Sequence, residues 1–143
     1  IGKIPIVCKA SPGYIIPRIQ ALAMNEAARM VEEGIASPEE IDKAIINGFG
    51  LRFSVLGLLE FIDWGGGDIL YHASNYLKDA TGEKRFSPPD IIKKNMKAGN
   101  LGISSGRGIY NYKHRDIEKW KAIKLGEFAN ILKTKGLLPK PVL

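Results

Sequence analysis

The sequence predicts an all-α domain of six helices packed in a bundle-like arrangement. Apolar residues recur at helical spacing in six segments, and glycine, proline and capping residues separate these segments. Only one short stretch has the pattern of a strand. The 143 residues are 45% hydrophobic, which is enough for a single domain with its own core.

The longest helical pattern runs from Ser11 to Gly34, and its apolar residues cover roughly half of the helix circumference. So wide a face predicts a central helix of a bundle, or a helix shared with a second subunit. If Gly13 caps this helix, Pro17 is about its fourth residue, where a modest kink is expected. Glu26 falls inside the apolar arc and needs a partner if it is buried.

Local signals predict the elements on either side of this helix. Ile4–Lys9 is apolar and β-branched and is expected to be a strand, either an extended arm or part of a sheet in a preceding domain. The second helix is predicted from Ser37 as N-cap to about Asn47, with Gly48 as C-cap, and the third around Val55–Ile62. The fourth is predicted from Asp68 as N-cap to Leu77, and the last from about Asp116 to Lys135. The fifth is predicted from Ser87 to Gly99, with Ile91, Ile92 and Met96 facing inward.

The composition limits the possible partners and compartments. The net charge of +6 favours anionic partners, such as nucleic acid, acidic lipid or a phosphate-bearing small molecule, and much of it lies between Lys113 and Lys140. The single cysteine, Cys8, excludes an intrachain disulfide, and together with two histidines it is too few for a metal cluster. Without an apolar run of membrane-spanning length, the expected location is the cytoplasm.

The glycine-rich loops do not match a dinucleotide fingerprint. In GFGLRF the position of the third glycine is Phe53, and in the loop with Gly106 and Gly108 it is Asn111. The chain is therefore not expected to bind a dinucleotide by itself. His72 and His114 have no carboxylate at a spacing that would make either a general base, so both are expected to be structural or surface residues.

Three charged residues are candidates for a role at a site. Glu60 and Asp63 are three apart on an apolar helix, so at least one is expected to be semi-buried, either as a catalytic pair or through capping or pairing with Arg52 or Arg85. Arg52 stands in an apolar stretch, where an arginine needs an anionic partner. That partner is either Glu60 or a carboxylate or phosphate of a substrate.

Five segments together resemble the C-terminal domain of the L-3-hydroxyacyl-CoA dehydrogenase family over about residues 3–112. They are SPGYIIPRI, NEAARMVEEGIASPEEIDKAI, GFG, a pattern of Gly57, Glu60 and Asp63, and SGRGIYNY. The resemblance implies a fold like the C-terminal domain of 6-phosphogluconate dehydrogenase. It divides the chain into the end of an NAD-binding Rossmann domain (1–10), a helical dimerisation and substrate domain (11–112) and an additional C-terminal helix with a tail (113–143).

The resemblance also implies an activity for the intact protein, the NAD-dependent oxidation of the 3-hydroxyl of an acyl-CoA. The NAD site, the catalytic histidine and its glutamate partner are then expected upstream of residue 1, so this chain alone is expected to be inactive. The domain is expected to supply a homodimer interface and one wall of the acyl-CoA cleft.

Three residues of this chain are implied to bind substrate: Pro17, Arg18 and Arg52. Pro17 occupies the position of an asparagine that positions substrate in the family, and a proline side chain cannot form that asparagine's hydrogen bonds. GFGLRF is similar to the gulonate dehydrogenase and lambda-crystallin branch, in which the matching arginine approaches a substrate carboxylate. The alternative activity is therefore a dehydrogenase of a small hydroxy acid of the gulonate, 3-hydroxybutyrate or carnitine type.

A different class of function is a basic helical interaction module. It would bind nucleic acid or an acidic protein through Lys119, Lys121, Lys124 and Lys133 of the last helix, with a steep dependence on salt. Since the sequence has neither a helix-turn-helix nor an aromatic platform for bases, we prefer the dehydrogenase, with no nucleic acid or membrane as partner.

Overall fold

The computed structural model describes residue 2 and residues 4–138. The chain divides after Gly48 into two compact units, one of residues 1–48 and one of residues 49–143, which are described separately below. The helices are α1 (Ile16–Glu32), α2 (Pro38–Ala44), α3 (Leu51–Phe53), α4 (Leu58–Gly65), α5 (Gly67–Thr81), α6 (Asp90–Lys97) and α7 (Ile117–Thr134). Six of them have seven or more residues, which confirms the predicted all-α class with six helices.

The first unit begins with a segment that has no regular secondary structure, Ile4–Lys9. A strand in the sheet of a preceding domain stays a prediction, whereas within the described residues the predicted strand is not formed. The reason is that the described residues contain no neighbouring strand that could pair with it. Regular structure starts with α1 at Ile16, which places Pro17 in the first helical turn. A proline there removes no intrahelical hydrogen bond, so the reason for the predicted kink does not apply.

The α2 helix begins as predicted and ends differently. The Ser37 hydroxyl accepts a hydrogen bond of 3.3 Å from the backbone N–H of Glu40, as expected for an N-cap. Gly48 does not end the helix, however, because a π-helical segment, Ile45–Gly50, follows α2. Gly48 does not have a positive φ, whereas a glycine that ends a helix as its C-cap adopts the left-handed conformation, in which φ is positive.

The second unit holds most of the core, formed by the side chains of Leu51, Leu56, Ile92 and Tyr112. The α5 helix packs on α4, on α6 and on the 3-10 turn Lys84–Phe86. Ile92 faces inward as predicted, but the prediction for Ile91 is wrong, because 54% of that residue is exposed.

The glycines between α4 and α5 separate two helices as predicted. The chain turns at Gly66, where φ is 111°, and α5 starts at Gly67. Asp68 therefore lies inside the first turn of α5 and is not its N-cap, contrary to the prediction. The carboxylate remains favourable there because it faces the positive end of the helix dipole.

The last helix, α7, begins and ends close to its predicted bounds. The carboxylate of its N-cap, Asp116, accepts a hydrogen bond of 3.1 Å from the backbone N–H of Lys119. No single helix of the described part is long and apolar enough to cross a membrane, and Pro38–Phe53 and Leu58–Gly65 reach that composition only as a bent pair.

Candidate functional site

In the first unit, a tight turn leads into α1. The backbone N–H of Tyr14 donates to the carbonyl of Ser11 at 3.0 Å, and that of Arg18 donates to the carbonyl of Gly13 at 3.1 Å. Gly13 has a φ of 72° and Tyr14 a φ of 45°. Tyr14 is the only residue other than glycine with positive φ in the described part of the chain. Because Tyr14 carries a Cβ, this conformation is strained.

A groove with a volume of about 550 Å³ lies beside this turn, within the first unit. Tyr14 and Pro17 line it together with Cys8, and the other lining residues are aliphatic: Ile6, Val7, Ile15 and Ile16. The size and the mostly apolar lining are typical of a small-molecule site. Arg18 follows Pro17 in the first turn of α1 and is exposed. The structure thus places Pro17 on a groove and Arg18 next to it.

Arg52 lies in the second unit, on the single turn α3. Its guanidinium carbon is 4.9 Å from the centre of the Phe61 ring, a cation–π contact. The predicted ion pair between Arg52 and Glu60 is not formed, and the described residues give Arg52 no other ion pair. The Glu60 carboxylate instead accepts from the backbone N–H of Gly57 at 3.1 Å, which confirms the predicted capping role.

A second pocket, of about 150 Å³, lies beside Arg52. Arg52 and Lys124 supply its two cationic groups, and the rest of its lining is apolar: Val55, Leu56, Trp64, Leu125 and Phe128. The Lys124 ammonium donates to the carbonyl of Val55 at 3.1 Å and contacts the Glu127 carboxylate at 3.0 Å. Because the charge of Lys124 is already paired, Arg52 is the pocket's available cation.

Asp63 is the buried polar residue of the second unit, with 2% of its surface exposed. Its carboxylate accepts hydrogen bonds of 2.8 Å from the backbone N–H groups of Ile109 and Tyr110, and one of 3.1 Å from the Tyr112 hydroxyl. Burial, together with the Asp63 carboxylate, raises the pKa of Tyr112 well above its ordinary value. Fully bonded in this way, Asp63 holds the loop of residues 102–112, here called the glycine loop, on α4.

Two glycines allow this loop to approach Asp63 closely. A Cβ at Gly108 would overlap the Asp63 carboxylate, and a Cβ at Gly102 would lie 2.7 Å from the Asp63 Cα. Gly102 also has a φ of 114°, which residues with a Cβ rarely adopt. Asp63 is therefore a structural residue and not one of a catalytic pair with Glu60.

An aromatic cluster attaches α7 to the same part of the second unit. The Trp120 ring lies 5.3 Å from Trp64 and 6.1 Å from Tyr112, measured between ring centres. The Arg115 guanidinium is 5.2 Å from the Trp120 ring and 5.6 Å from the Tyr112 ring. The Lys124 bond to Val55 adds a polar contact between α7 and the end of α3.

The remaining candidates lie at the surface. His72 and His114 are both exposed, as predicted. The described residues include no group of three or more histidine, cysteine, aspartate or glutamate side chains that could hold a metal ion. On α7, Lys121 pairs with Glu118 at 3.7 Å and Lys124 with Glu127, so two of the four lysines of the predicted basic patch are balanced within their own helix.

Two features of these sites were not predicted from the sequence. The first is the bonding of Asp63 to the glycine loop, because the partners of Asp63 lie 46 to 49 positions later in the chain. The second is the strained position of Tyr14. No local signal indicates it, because aromatic residues rarely adopt positive φ.

Comparison with known proteins gives a family for the chain. Residues 13–112 match the family model described as the C-terminal domain of 3-hydroxyacyl-CoA dehydrogenase. A probable 3-hydroxybutyryl-CoA dehydrogenase of Deinococcus radiodurans is 35% identical over 112 residues, which are 78% of this chain and 39% of that protein. The crystal structure of a 3-hydroxyacyl-CoA dehydrogenase from Archaeoglobus fulgidus matches 96% of this chain and 46% of its own, with a TM-score of 0.78 and 32% identity.

A third relative acts on a different substrate. The 5-formyl-3-hydroxy-2-methylpyridine 4-carboxylate 5-dehydrogenase of Mesorhizobium japonicum is 31% identical over 113 residues, which are 78% of this chain and 36% of that protein. A crystal structure of the enzyme of this name, described as an NAD⁺-dependent dismutase, matches 93% of this chain and 43% of its own, with a TM-score of 0.53 and 26% identity. The chain thus spans less than half the length of these relatives. Through the match over residues 13–112, it belongs to the 3-hydroxyacyl-CoA dehydrogenase family, of which it carries the C-terminal domain.

Proposed function

We propose that this chain is the C-terminal part of an NAD-dependent 3-hydroxyacyl-CoA dehydrogenase, which oxidises the 3-hydroxyl group of an acyl-CoA to a ketone. The observation that carries the proposal is the family match over residues 13–112. The resemblance to the Archaeoglobus structure over 96% of the chain supports it. In the oxidation, C3 loses a hydride to the cofactor and the hydroxyl loses a proton to a base.

The described residues do not fit NAD. They contain no strand followed by a glycine loop and a helix, which is the unit that holds the pyrophosphate in Rossmann folds. We place NAD and the catalytic histidine in a part of the enzyme outside this chain, since the relatives are more than twice as long as the region they share with it. The name of the third relative supports NAD as the cofactor.

In this proposal the groove beside Tyr14 and Pro17 is the wall of the acyl-CoA cleft. Its aliphatic lining suits an acyl chain. Arg18, exposed in the adjacent turn, supplies a positive charge for the phosphates of CoA. Because Pro17 has no polar side-chain group, it contributes shape only.

We also propose that the enzyme is a homodimer through α1. None of the 17 residues of this helix is buried in the chain. Its exposed apolar residues include Ile16, Leu22 and Met24, of which 60%, 62% and 69% is exposed. An exposed face of this kind is typical of a subunit interface.

The test is an assay of the full-length enzyme with 3-hydroxybutyryl-CoA and NAD⁺, with NADH formation as the readout. We expect turnover by the full-length enzyme and none by residues 1–143 alone. An enzyme that is folded and dimeric but oxidises no 3-hydroxyacyl-CoA would contradict the proposal.

Arg52 favours a second candidate, a dehydrogenase of a small hydroxy acid. Arg52 is exposed, has no ion pair among the described residues and lines an otherwise mostly apolar pocket, which together suit a substrate carboxylate. One relative is named for a carboxylate substrate. We expect Arg52→Ala to raise the KM for a hydroxy acid about tenfold or more, since hydrogen bonds to charged groups are strong.

The matched control for this test is Lys97→Ala, which removes another exposed cation. An unchanged KM in a folded Arg52→Ala enzyme would remove Arg52 from this role.

A further inference from the structure

The strained turn at Tyr14 has no explanation in packing. Of Tyr14, 61% is exposed, so its ring is not held in place by a core. Its positive φ is fixed instead by the turn itself, through the bonds from Tyr14 to Ser11 and from Arg18 to Gly13. Residues held in sparsely populated backbone conformations cluster at ligand-binding sites, where the strain directs a side chain.

The Tyr14 side chain lines the groove of the first unit. Only two of the seven lining residues, Tyr14 and Cys8, have a side chain that can donate a hydrogen bond. A thiol is a weak donor and a phenol a strong one. Within the described residues the Tyr14 hydroxyl has no hydrogen-bond partner, so it is available to a ligand.

We propose that the Tyr14 hydroxyl donates a hydrogen bond to the thioester carbonyl oxygen of an acyl-CoA whose acyl chain lies in this groove. The inference rests on the proposed function, which supplies the substrate class. A thioester oxygen only accepts hydrogen bonds, so the protein has to provide the donor. The aliphatic residues that line the groove with Tyr14, namely Ile6, Val7, Ile15 and Ile16, provide the apolar contact for the chain.

The test compares two ligands that differ at the carbonyl. Butyryl-CoA has the thioester oxygen, and S-butyl-CoA is the thioether without it; neither has a 3-hydroxyl group, so neither is oxidised. We would measure both dissociation constants by titration calorimetry on the full-length enzyme and its variants. We expect the wild type to prefer butyryl-CoA about three- to tenfold, which is the range of one hydrogen bond. We expect Tyr14→Phe to lose this preference and to bind S-butyl-CoA as the wild type does.

A control variant separates the Tyr14 hydroxyl from tyrosine hydroxyls elsewhere on the surface. Tyr76→Phe removes a hydroxyl from an exposed tyrosine of α5, outside the groove, and should keep the preference. A Tyr14→Phe enzyme that keeps the preference would overturn the inference, and so would one that binds both ligands more weakly by the same factor, because Tyr14 would then only shape the groove.

The assay with 3-hydroxybutyryl-CoA separates this inference from the proposed function. Turnover by the wild type together with an unchanged preference in Tyr14→Phe refutes the role of Tyr14 alone. Absence of both turnover and binding in the wild type refutes the proposed function and the inference with it.

Discussion

The Tyr112 hydroxyl donates a hydrogen bond of 3.1 Å to the buried carboxylate of Asp63, 49 positions earlier in the chain. The backbone N–H groups of Ile109 and Tyr110 donate to the same carboxylate. Because Tyr112 also contacts Trp120 of α7, one residue joins α4, the glycine loop and the last helix. This arrangement predicts where the second unit is most sensitive to substitution.

We expect Asp63→Asn to destabilise the protein by about 2–4 kcal/mol, because the new amide group has one oxygen to replace two and its NH₂ faces a backbone donor. Urea denaturation of the two proteins would measure the difference in the free energy of unfolding. Glu60→Gln is the control, since Glu60 makes a single capping bond at the start of the same helix. Equal effects of the two substitutions would contradict the central role of Asp63.

The Tyr112 pKa predicts a loss of stability at high pH. Burial and the neighbouring Asp63 raise this pKa in the folded state, whereas an unfolded tyrosine titrates near 10. The contribution of the neutral hydroxyl is therefore complete below about pH 10 and is lost as the pH rises from there toward the folded pKa. Above pH 10 we expect the free energy of unfolding to fall by up to about 1.4 kcal/mol per pH unit from this group.

Tyr112→Phe isolates this effect from the titration of lysines, which occurs in both proteins. The variant should be less stable than the wild type at pH 8 and should lose less stability between pH 9 and pH 11. Denaturation curves over that range would measure both slopes. Parallel slopes would mean that Tyr112 does not titrate differently in the folded and unfolded states.

Gly108→Ala and Gly126→Ala should act in opposite directions. A Cβ at Gly108 meets the Asp63 carboxylate and lies 2.7 Å from the Gly102 Cα, so we expect a loss of about 1–3 kcal/mol or more. A Cβ at Gly126 has no atom within 4 Å, and alanine inside a helix is favoured over glycine by about 1 kcal/mol. Thermal unfolding would show the two signs. A neutral Gly108→Ala would mean that the glycine loop can shift away from Asp63.

The sequence correctly predicts structural features that depend on contacts between residues close together in the chain, such as helix N-caps. Ser37 and Asp116 cap their helices because each bonds a backbone N–H three positions ahead, and such short spacings are visible in the sequence. Pro17 lies nearer the start of its helix than the sequence predicts, because the turn at Gly13 and Tyr14 delays the start of α1 to Ile16. Gly48 failed as a stop signal because glycine permits a left-handed cap without requiring it.

The interactions that the sequence did not reveal are tertiary. The partners of Asp63 lie 46 to 49 positions away, and no pattern around Asp63 indicates which loop will reach it. The sequence leaves two partners open for Arg52, Glu60 or an anionic group of a substrate; in the structure Glu60 caps its own helix and Arg52 lies over the Phe61 ring. These contacts depend on how α4 packs, which the local sequence does not determine.

The last prediction concerns the exposed face of α1. Met24 is an apolar residue of which 69% is exposed in the single chain. In the proposed dimer the second subunit covers it. Met24→Glu would place a charge in that interface, at a cost of several kcal/mol if the charge stays unpaired. We expect the variant of the full-length enzyme to be monomeric by light scattering at concentrations where the wild type is a dimer.

Asn25→Glu is the control for this substitution. It adds the same charge at the next position, which is 100° away on the polar side of the helix, and should leave the dimer intact. A dimeric Met24→Glu protein, or a monomeric wild type, would exclude this face of α1 as the interface.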